Sequence, residues 1–402
     1  IYDKRKNHIT VGRDPFGVRP LFCTTDYNYF SSEMKQINFL TSLEIIQFPP
    51  GHYLQINNKN IDYFKKYKLV KYHSLSQFYH PPCLEFKNFG DEHSYYKSLV
   101  KNTLINAVRK RLLSDRPIAC LLSGGLDSSL ITSIVVKLLK ENGNNNKLET
   151  YSIGLSGSTD LKYAQMVANY LDTNHTEILV TEDDFFNAIP EVVKTIESYD
   201  TTTVRASVGN YLVAKYISEH SEAKVIFNGD GSDELTGGYL YFHKAPSDLF
   251  FDFEAKTLLQ NIHYFDVLRS DRSISSNGLE PRTPFLDKTF VNTYLSIPLK
   301  YRRIPGEIEK KLLRDSFKEY LPEEVLFRKK EAFSDGVSGT ERSWFEIIAD
   351  KLNSIDVPII DYNQKYLTPR TKEQMYYRYL FEKEYRNSCL LYTSDAADDT
   401  PC

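Results

Sequence analysis

The segment 121–129 constrains the fold of this chain more than any other stretch. Its sequence, Leu-Leu-Ser-Gly-Gly-Leu-Asp-Ser-Ser, follows a short apolar run that begins at Ile118. An apolar stripe with a period close to 3.6 runs from Leu126 to Leu139, which predicts a helix directly after the loop. Glycines let a backbone approach a ligand closely, and a helix start has unpaired N–H groups. A strand, a small-residue loop and a helix in this order predict a phosphate cradle.

The loop lacks the Lys-Ser/Thr ending of a Walker motif. The sequence Ser-Gly-Gly-Leu-Asp-Ser-Ser at 123–129 instead resembles the loop of the ATP pyrophosphatases. These enzymes cleave ATP between the α- and β-phosphates and adenylate a substrate. An ordinary strand-to-helix turn is the alternative interpretation, and the serines, the acid and the strand–helix context argue against it.

Strands and helices alternate from Pro117 onward, which predicts an α/β fold with a parallel sheet and helices on both faces. The predicted strands are 118–122, 150–155, 176–180 and 224–227, and the predicted helices around them are 91–114, 160–171, 183–196 and 205–218. Further helices are predicted at 247–269, 288–296, 307–319 and 344–352. Ligands of such folds bind at the carboxyl ends of the strands, where the loop 121–129 lies.

A second glycine-rich loop, 228–239, follows the fourth predicted strand. Asp230, Asp233 and Glu234 stand close together in it, and three acids in a small space repel one another unless cations offset them. Mg²⁺ bound to ATP phosphates would do so, because Mg²⁺ typically takes one or two carboxylates plus phosphate oxygens. We therefore expect Asp127 and Asp233 to be magnesium ligands. A solvated acidic turn is the alternative.

The composition excludes several classes of function. The 402 residues have a formal net charge of −3, which provides no basic surface for nucleic acid. Apolar runs are shorter than the ~18 residues of a membrane span. The five cysteines form no Cys-x-x-Cys pair, which argues against a zinc or redox motif and favours a reducing cytosolic compartment.

Residues 1–64 have short β-type runs separated by turn signals, and 65–91 have the composition of a linker. The stretch 12–21, Gly-Arg-Asp-Pro-Phe-Gly-Val-Arg-Pro-Leu, together with the Ser-Ser-Glu at 31–33, resembles the last part of a class II glutamine amidotransferase domain. Those domains use an N-terminal cysteine, and no cysteine precedes Cys23. We therefore expect 1–64 to be a β-rich remnant whose front part, with the nucleophile, is missing.

The two loops together, with the stretches 198–207, 282–287, 309–314 and 328–337, resemble the glutamine-hydrolysing asparagine synthetases. The matches extend from about residue 12 to about 384. The resemblance implies that 92–388 is a synthetase domain. We expect the tail 389–402 to be non-native, because it resembles a translated sequencing adapter. The family joins aspartate and ATP to give β-aspartyl-AMP and pyrophosphate, and ammonia from glutamine then attacks the acyl-adenylate. ATP and Mg²⁺ are the implied cofactors, and a homodimer is a possible assembly.

The resemblance also implies roles for individual residues. The residues implied to border the nucleotide are Leu122, Ile153, Asn228 and Gly229, and those implied to cradle the pyrophosphate portion are Ser123, Gly124, Gly125, Asp127 and Ser128. Lys310 would meet the phosphates, and Asp230 stands where the family commonly has a glutamate tied to adenylation and ammonia attack. Thr202 and Arg205 would bind aspartate, Arg205 as a fork for a carboxylate. Without the family context, a surface ion pair is the default interpretation of Lys310, and a structural salt bridge explains Arg205 equally well.

Two departures from the family pattern affect the expected activity. Asn228 replaces a serine, and Asp230 is one methylene shorter than glutamate. We expect activity to be retained, at an unchanged or lower rate. The chain as written is expected to use ammonia rather than glutamine. A β-lactam-synthetase-like enzyme and a pseudoenzyme that acts as a binding module are the two alternatives. Thr202 and Arg205 argue against the first, and the presence of Asp127, Asp233 and Lys310 against the second.

Overall fold

A computed structural model describes residues 1–57, 68–75, 89–303, 306–329, 342–358 and 368–385. Its N-terminal elements are β1 Tyr2–Asp3, β2 His8–Gly12, β3 Phe22–Thr24, β4 Phe30–Ser31, α1 Lys35–Asn38, β5 Ile45–Gln47, β6 His52–Asn57 and β7 Val70–Lys71. They form two antiparallel sheets with the strand orders β1-β2-β6-β7 and β4-β3-β5. This agrees with the β-rich character expected of the segment. Strand β7 pairs with β6 although it lies within the stretch expected to be a linker.

The central elements alternate between strand and helix. They are α2 Phe89–Lys110, β8 Ile118–Leu121, α3 Leu126–Glu141, β9 Glu149–Gly154, α4 Thr159–Leu171, β10 Asn174–Leu179, α5 Glu182–Ile196, α6 Thr201–His220 and β11 Val225–Phe227. With β12, Glu280–Arg282, the four central strands make a parallel sheet of order β10-β9-β8-β11-β12. The predicted parallel sheet is confirmed.

Both faces of this sheet are covered, as predicted, because neighbouring residues of a strand point to opposite sides. Cys120 and Phe227 belong to the core that α2 and α3 complete, whereas Ala119 and Ile226 belong to a second core that α6 and the later helix Asp266–Ser275 complete. All four are fully buried. A five-stranded sheet packed on both faces gives the strand ends fixed positions.

The strand order reverses at β8. The chain moves outward from β8 to β9 and β10, and it returns to place β11 on the other side of β8. The loops that follow β8 and β11 therefore leave adjacent strands at the same edge of the sheet. Such a reversal opens a crevice between the two loops, which is the usual ligand position in open parallel sheets.

The C-terminal part is mostly helical. Its elements are α7 Ser232–Thr236, α8 Asp248–Asn261, α9 Asp266–Ser275, α10 Lys288–Ser296, α11 Leu299–Arg302, α12 Lys311–Ser316, α13 Glu323–Leu326, α14 Trp344–Asn353 and α15 Lys372–Glu384, with short 3₁₀ turns at Leu240–Lys244, Ile262–Tyr264 and Pro284–Leu286. No helix of the described ranges is both long enough and apolar enough to cross a membrane. The expected tail, 389–402, and the matching stretch beyond residue 329 lie outside the described residues.

The two largest errors in predicted helix extent concern 247–269 and 307–319. The single helix expected over 247–269 is divided by the 3₁₀ turn Ile262–Tyr264, and α9 restarts at Asp266, whose carboxylate accepts the Gly231 N–H. This tertiary contact overrides the continuous apolar period. The helix expected over 307–319 is shortened to α12, because Lys310 has a left-handed backbone with φ of 60° and cannot continue a helix.

Candidate active site

The first loop joins β8 to α3. Gly124 has a φ of 74°, and a Cβ there would lie 2.4 Å from the Ala164 nitrogen. The Ser123 and Ser128 hydroxyls are 3.0 Å apart, and the Ser123 N–H donates to the Ser128 hydroxyl at 3.2 Å. No side chain caps the start of α3 at Gly125. The loop is thus folded tightly around its serines, and the first turn of a 16-residue helix keeps N–H donors available for an anion.

The second loop begins with residues 228–231, which join β11 to α7 and lie directly against the first loop. A Cβ on Gly229 would be 2.7 Å from the Ser128 nitrogen and 2.8 Å from the Asp127 carbonyl carbon, so only glycine permits this approach. Asn228 is buried, and its side-chain amide donates to the Ser270 hydroxyl at 2.8 Å. The structure therefore brings together the predicted residues of both loops.

A buried lysine joins the two predicted magnesium ligands. The Nζ of Lys310 lies 2.6 Å from Asp127 Oδ2 and 2.6 Å from Asp233 Oδ1. The Ser232 hydroxyl donates to Asp127 Oδ1 at 2.7 Å and fixes its orientation. A Cβ on Gly238 would lie 2.1 Å from both Asp233 and Lys310, so this glycine leaves the space that the lysine fills. Two carboxylates that already converge on one cation suit a divalent ion, because oxygen ligands are those that Mg²⁺ prefers.

A second group of acidic side chains lies next to Asp127, Asp233 and Lys310. Burial and the neighbouring Asp266 carboxylate raise the pKa of Asp230 to about 7, although Arg269, 3.8 Å away, opposes the shift. Burial, together with Asp266 and Asp233, raises the pKa of Glu234 well above its usual range, and the Tyr239 hydroxyl donates to it. Asp230 therefore titrates near neutral pH.

The first loop and Lys310 line one cleft of about 560 Å³, counted with its open mouth. Sequence reasoning gave no role to the other polar residues that line the cleft, which are Asp160, Glu309, Arg314, Arg328 and Lys329. Arg328 donates to Asp160 at 2.8 Å and lies 4.2 Å from the centroid of the Tyr163 ring. Arg328 and Lys329 stand in a stretch that matches the family, which is the signal that could have indicated them.

The remaining predicted residues lie elsewhere. Leu122 and Ile153 are at the carboxyl ends of β8 and β9, where they are buried in the two cores rather than along the described lining of the cleft. Thr202 and Arg205 lie in the first turns of α6. The Arg205 guanidinium makes a two-pronged ion pair with Glu373, at 2.8 and 2.5 Å, and lies 4.9 Å from the Phe345 ring centroid. The fork predicted for aspartate is held by a carboxylate of α15.

The chain is similar to known proteins along most of its length. A family model described as asparagine synthase matches residues 99–256 and 251–397. The glutamine-hydrolysing asparagine synthetases of Mesocricetus auratus and Gallus gallus are each 42% identical to this chain, over 96% of the chain and 72% of the relative. The NMN synthetase from Francisella tularensis covers 75% of this chain and 98% of its own, with 13% identity and a TM-score of 0.26, a likeness too low to carry an argument.

The parallel sheet, the two loops and the sequence similarity define an α/β ligase. The chain belongs to the asparagine synthase family.

Proposed function

We propose that this chain converts aspartate to asparagine with ATP, through β-aspartyl-AMP, and releases AMP and pyrophosphate. The arrangement of Asp127, Asp233 and Lys310 beside the start of α3 carries this proposal. It combines a phosphate cradle with two carboxylates and a buried cation, which is what cleavage of ATP between the α- and β-phosphates requires. The names of the similar synthetases support aspartate as the substrate.

The residues of the first loop bind the triphosphate. Ser123, Gly124, Gly125 and Ser128 surround the pyrophosphate portion, while Leu122, Ile153, Asn228 and Gly229 support the nucleotide from the strand ends. Asp127 and Asp233 would hold Mg²⁺, which would neutralise charge on the phosphates. Lys310 moves its ammonium group toward the β-phosphate as the bond between the α-phosphorus and the oxygen bridging to the β-phosphate breaks. Fixed donors of this kind lower the barrier because negative charge accumulates on the leaving pyrophosphate.

The reaction has two steps. An oxygen of the aspartate β-carboxylate attacks the α-phosphorus, and the bond between that phosphorus and the oxygen bridging to the β-phosphate breaks. The nitrogen of ammonia then attacks the acyl carbon, the bond between that carbon and the oxygen bridging to phosphorus breaks, and AMP leaves with that oxygen and the bonding pair. Asp230 accepts the proton that the nitrogen loses. A carboxylate whose pKa is about 7 suits this transfer, since a base works best when its pKa is close to the working pH.

Thr202 and Arg205 bind the aspartate substrate. They share the first turns of α6, which Asp200 caps by accepting the Thr203 N–H at 2.8 Å. The Arg205 guanidinium binds the carboxylate of Glu373 in a two-pronged contact. The same geometry suits a carboxylate of the substrate in place of Glu373. Aspartate competes with Glu373 for this guanidinium.

The nitrogen donor of these 402 residues is ammonia. Of the cysteines in the described ranges, Cys23 and Cys120 are fully buried, and burial raises the pKa of each thiol to about 12. A thiol with such a pKa is a poor nucleophile for glutamine, because the reactive form is the thiolate. Both cysteines are free, which suits the reducing cytosol that we propose as the compartment.

The test is product formation by the 402-residue chain with Mg-ATP and aspartate. Ammonium and glutamine are supplied separately, and asparagine and pyrophosphate are followed. We expect asparagine with ammonium and none with glutamine, whereas pyrophosphate, which is released in the first step, can form with either. Pyrophosphate without asparagine in the presence of ammonium would place the chain among other adenylating enzymes, and a panel of β-amino acids would then test the β-lactam-synthetase-like alternative. ATP binding without any product from folded protein would favour a binding module.

A further inference from the structure

Helix α9 contacts the second loop along one side. Three side chains of the helix reach three of the four residues in the loop 228–231. The contacts are Asp266 with the Gly231 N–H at 3.1 Å, Arg269 with the Asp230 carboxylate at 3.8 Å, and Ser270 with the Asn228 amide at 2.8 Å. The position of the loop that contains Asp230 therefore depends on the position of α9.

The next two residues of the helix contact the N-terminal segment instead. Asp271 forms an ion pair with Arg19, and Arg272 forms one with Glu33. Arg272 also donates to the Ser32 carbonyl at 3.3 Å. The sequence separations, 252 and 239 residues for the two ion pairs, show that these contacts join distant parts of the chain.

The two sets of contacts lie on opposite sides of one rigid element. Each residue of an α-helix advances by about 100°, so Asp266, Arg269 and Ser270 fall within an arc of about 100°. Asp271 and Arg272 lie on the opposite side. The helix has ten residues and a length of about 15 Å, and a single such helix moves as a unit. A shift on the N-terminal side is therefore passed to the loop.

Because Asp271 and Arg272 are buried, their charges need the partners in the N-terminal segment. Asp271 and Arg272 are 4% and 2% exposed, so each needs an opposite charge at hydrogen-bond distance. Their partners are more accessible, with side-chain exposures of 49% for Arg19 and 25% for Glu33. The two ion pairs form only where the N-terminal segment is docked. We infer that Asp271 and Arg272 are positioning residues of the synthetase site, which act through α9 on the loop 228–231. The inference rests on the proposed function.

The test changes the N-terminal partner and leaves the helix intact. In the 402-residue chain, Arg19→Met removes the cation opposite Asp271. We expect the ammonium-dependent kcat of the folded protein to fall at least fivefold and the KM for ATP to change less than twofold. Amide hydrogen exchange in a peptide covering 228–235 is expected to become faster. Arg19→Met combined with Asp271→Asn is expected to restore kcat to within twofold of the unmodified chain, because asparagine needs no cation.

Two further variants make the test decisive. Glu33→Gln removes the partner of Arg272 and is expected to have the same effects, so it decides the question if Arg19→Met does not fold. Lys147→Met is the matched control, because it breaks an exposed ion pair with Asp172, and neither residue belongs to α9, to the loop 228–231 or to the N-terminal segment. Unchanged kcat and unchanged exchange at 228–235 in Arg19→Met and Glu33→Gln would overturn the inference. If the unmodified chain makes no asparagine, the proposed function fails, and the exchange measurement still decides whether α9 positions the loop.

Discussion

The Nζ of Lys310 lies 2.6 Å from Oδ2 of Asp127, although 183 positions separate the two residues in the chain. The lysine side chain is 2% exposed, and its backbone adopts a left-handed conformation to reach this position. The Asp233 carboxylate is at the same distance. Because both acids share one buried cation, the lysine links the first turns of α3 and α7.

Replacing Lys310 by methionine is expected to lower aspartate-dependent pyrophosphate release by about 10²–10³-fold, because the charge on the leaving group loses a preorganised partner. The measurement is a coupled pyrophosphate assay at saturating Mg-ATP. Lys311→Met is the matched control: this neighbouring lysine pairs with Asp315 at 2.6 Å within α12, and its loss should leave the rate within twofold. Equal rates in the two variants would show that Lys310 takes no part in the reaction.

The parallel sheet and both loops were predictable because their signals are local. Alternation of strands and helices, paired glycines and clustered acids all lie within short windows, and the carboxyl ends of parallel strands meet at one edge. The pairing of β8 with β11 then brings Asp127 to the second loop without further information. Family resemblance added Lys310, whose sequence surroundings show only a basic, helix-like stretch.

Long-range ion pairs were not predictable in the same way. Glu373 meets Arg205 across 168 positions, and sequence reasoning assigned no helix to Lys372–Glu384. The strand β12 was missed because it contains Pro281, which lacks an N–H and is tolerated here at the edge of the sheet. The division of the helix expected over 247–269 depends on the contact between Asp266 and Gly231. The apolar periodicity of the helix sequence does not reveal this contact.

Alanine at Gly229 is expected to separate the two loops. Its Cβ would meet the backbone of Asp127 and Ser128 at 2.7–2.8 Å, and backbone atoms cannot rotate away as a flexible side chain can. Overpacking of this kind destabilises by about 1–3 kcal/mol. We therefore expect a lower melting temperature and at least a tenfold loss of ammonium-dependent activity.

Gly12→Ala is the control for the alanine substitution. The nearest atom to a Cβ there, the Tyr53 Cβ, is 3.4 Å away, which is an ordinary contact. This variant should match the unmodified chain in melting temperature and activity. If Gly229→Ala kept full activity, the close approach of the two loops would not matter for the reaction.

Glu373→Gln is expected to lower the KM for aspartate, because the Arg205 guanidinium loses the carboxylate that competes with the substrate. Arg205→Lys should raise the same KM at least tenfold, since an ammonium group cannot form the two-pronged contact. The KM for ATP should change less than twofold in both variants. A loss of stability in Arg205→Lys with an unchanged KM for aspartate would show that the ion pair is structural only.

Asp230 gives a prediction for stability as a function of pH. Burial and Asp266 raise the pKa of this carboxyl to about 7 in the folded chain, whereas an unfolded aspartate ionises near 3.9. Between these values the folded state holds one proton more than the unfolded state, so the free energy of unfolding falls as the pH rises. An asparagine side chain cannot ionise, and Asp230→Asn should therefore gain stability relative to the unmodified chain between pH 5 and pH 8, by roughly 4 kcal/mol at most.

Urea unfolding at pH 5 and pH 8 measures this difference, and Asp172→Asn is the control for it. The hydrogen bond from Lys147 lowers the pKa of Asp172, so this carboxylate is ionised in both states throughout that window. Whatever Asp172 contributes is present above its unfolded pKa and is lost only as the pH falls further, below the range of the experiment. The difference between Asp172→Asn and the unmodified chain should thus be the same at both pH values, whereas that of Asp230→Asn should grow with pH. Parallel behaviour of the two variants would mean that Asp230 ionises in the folded chain as it does in water, and would remove the reason to assign it the proton of the attacking ammonia.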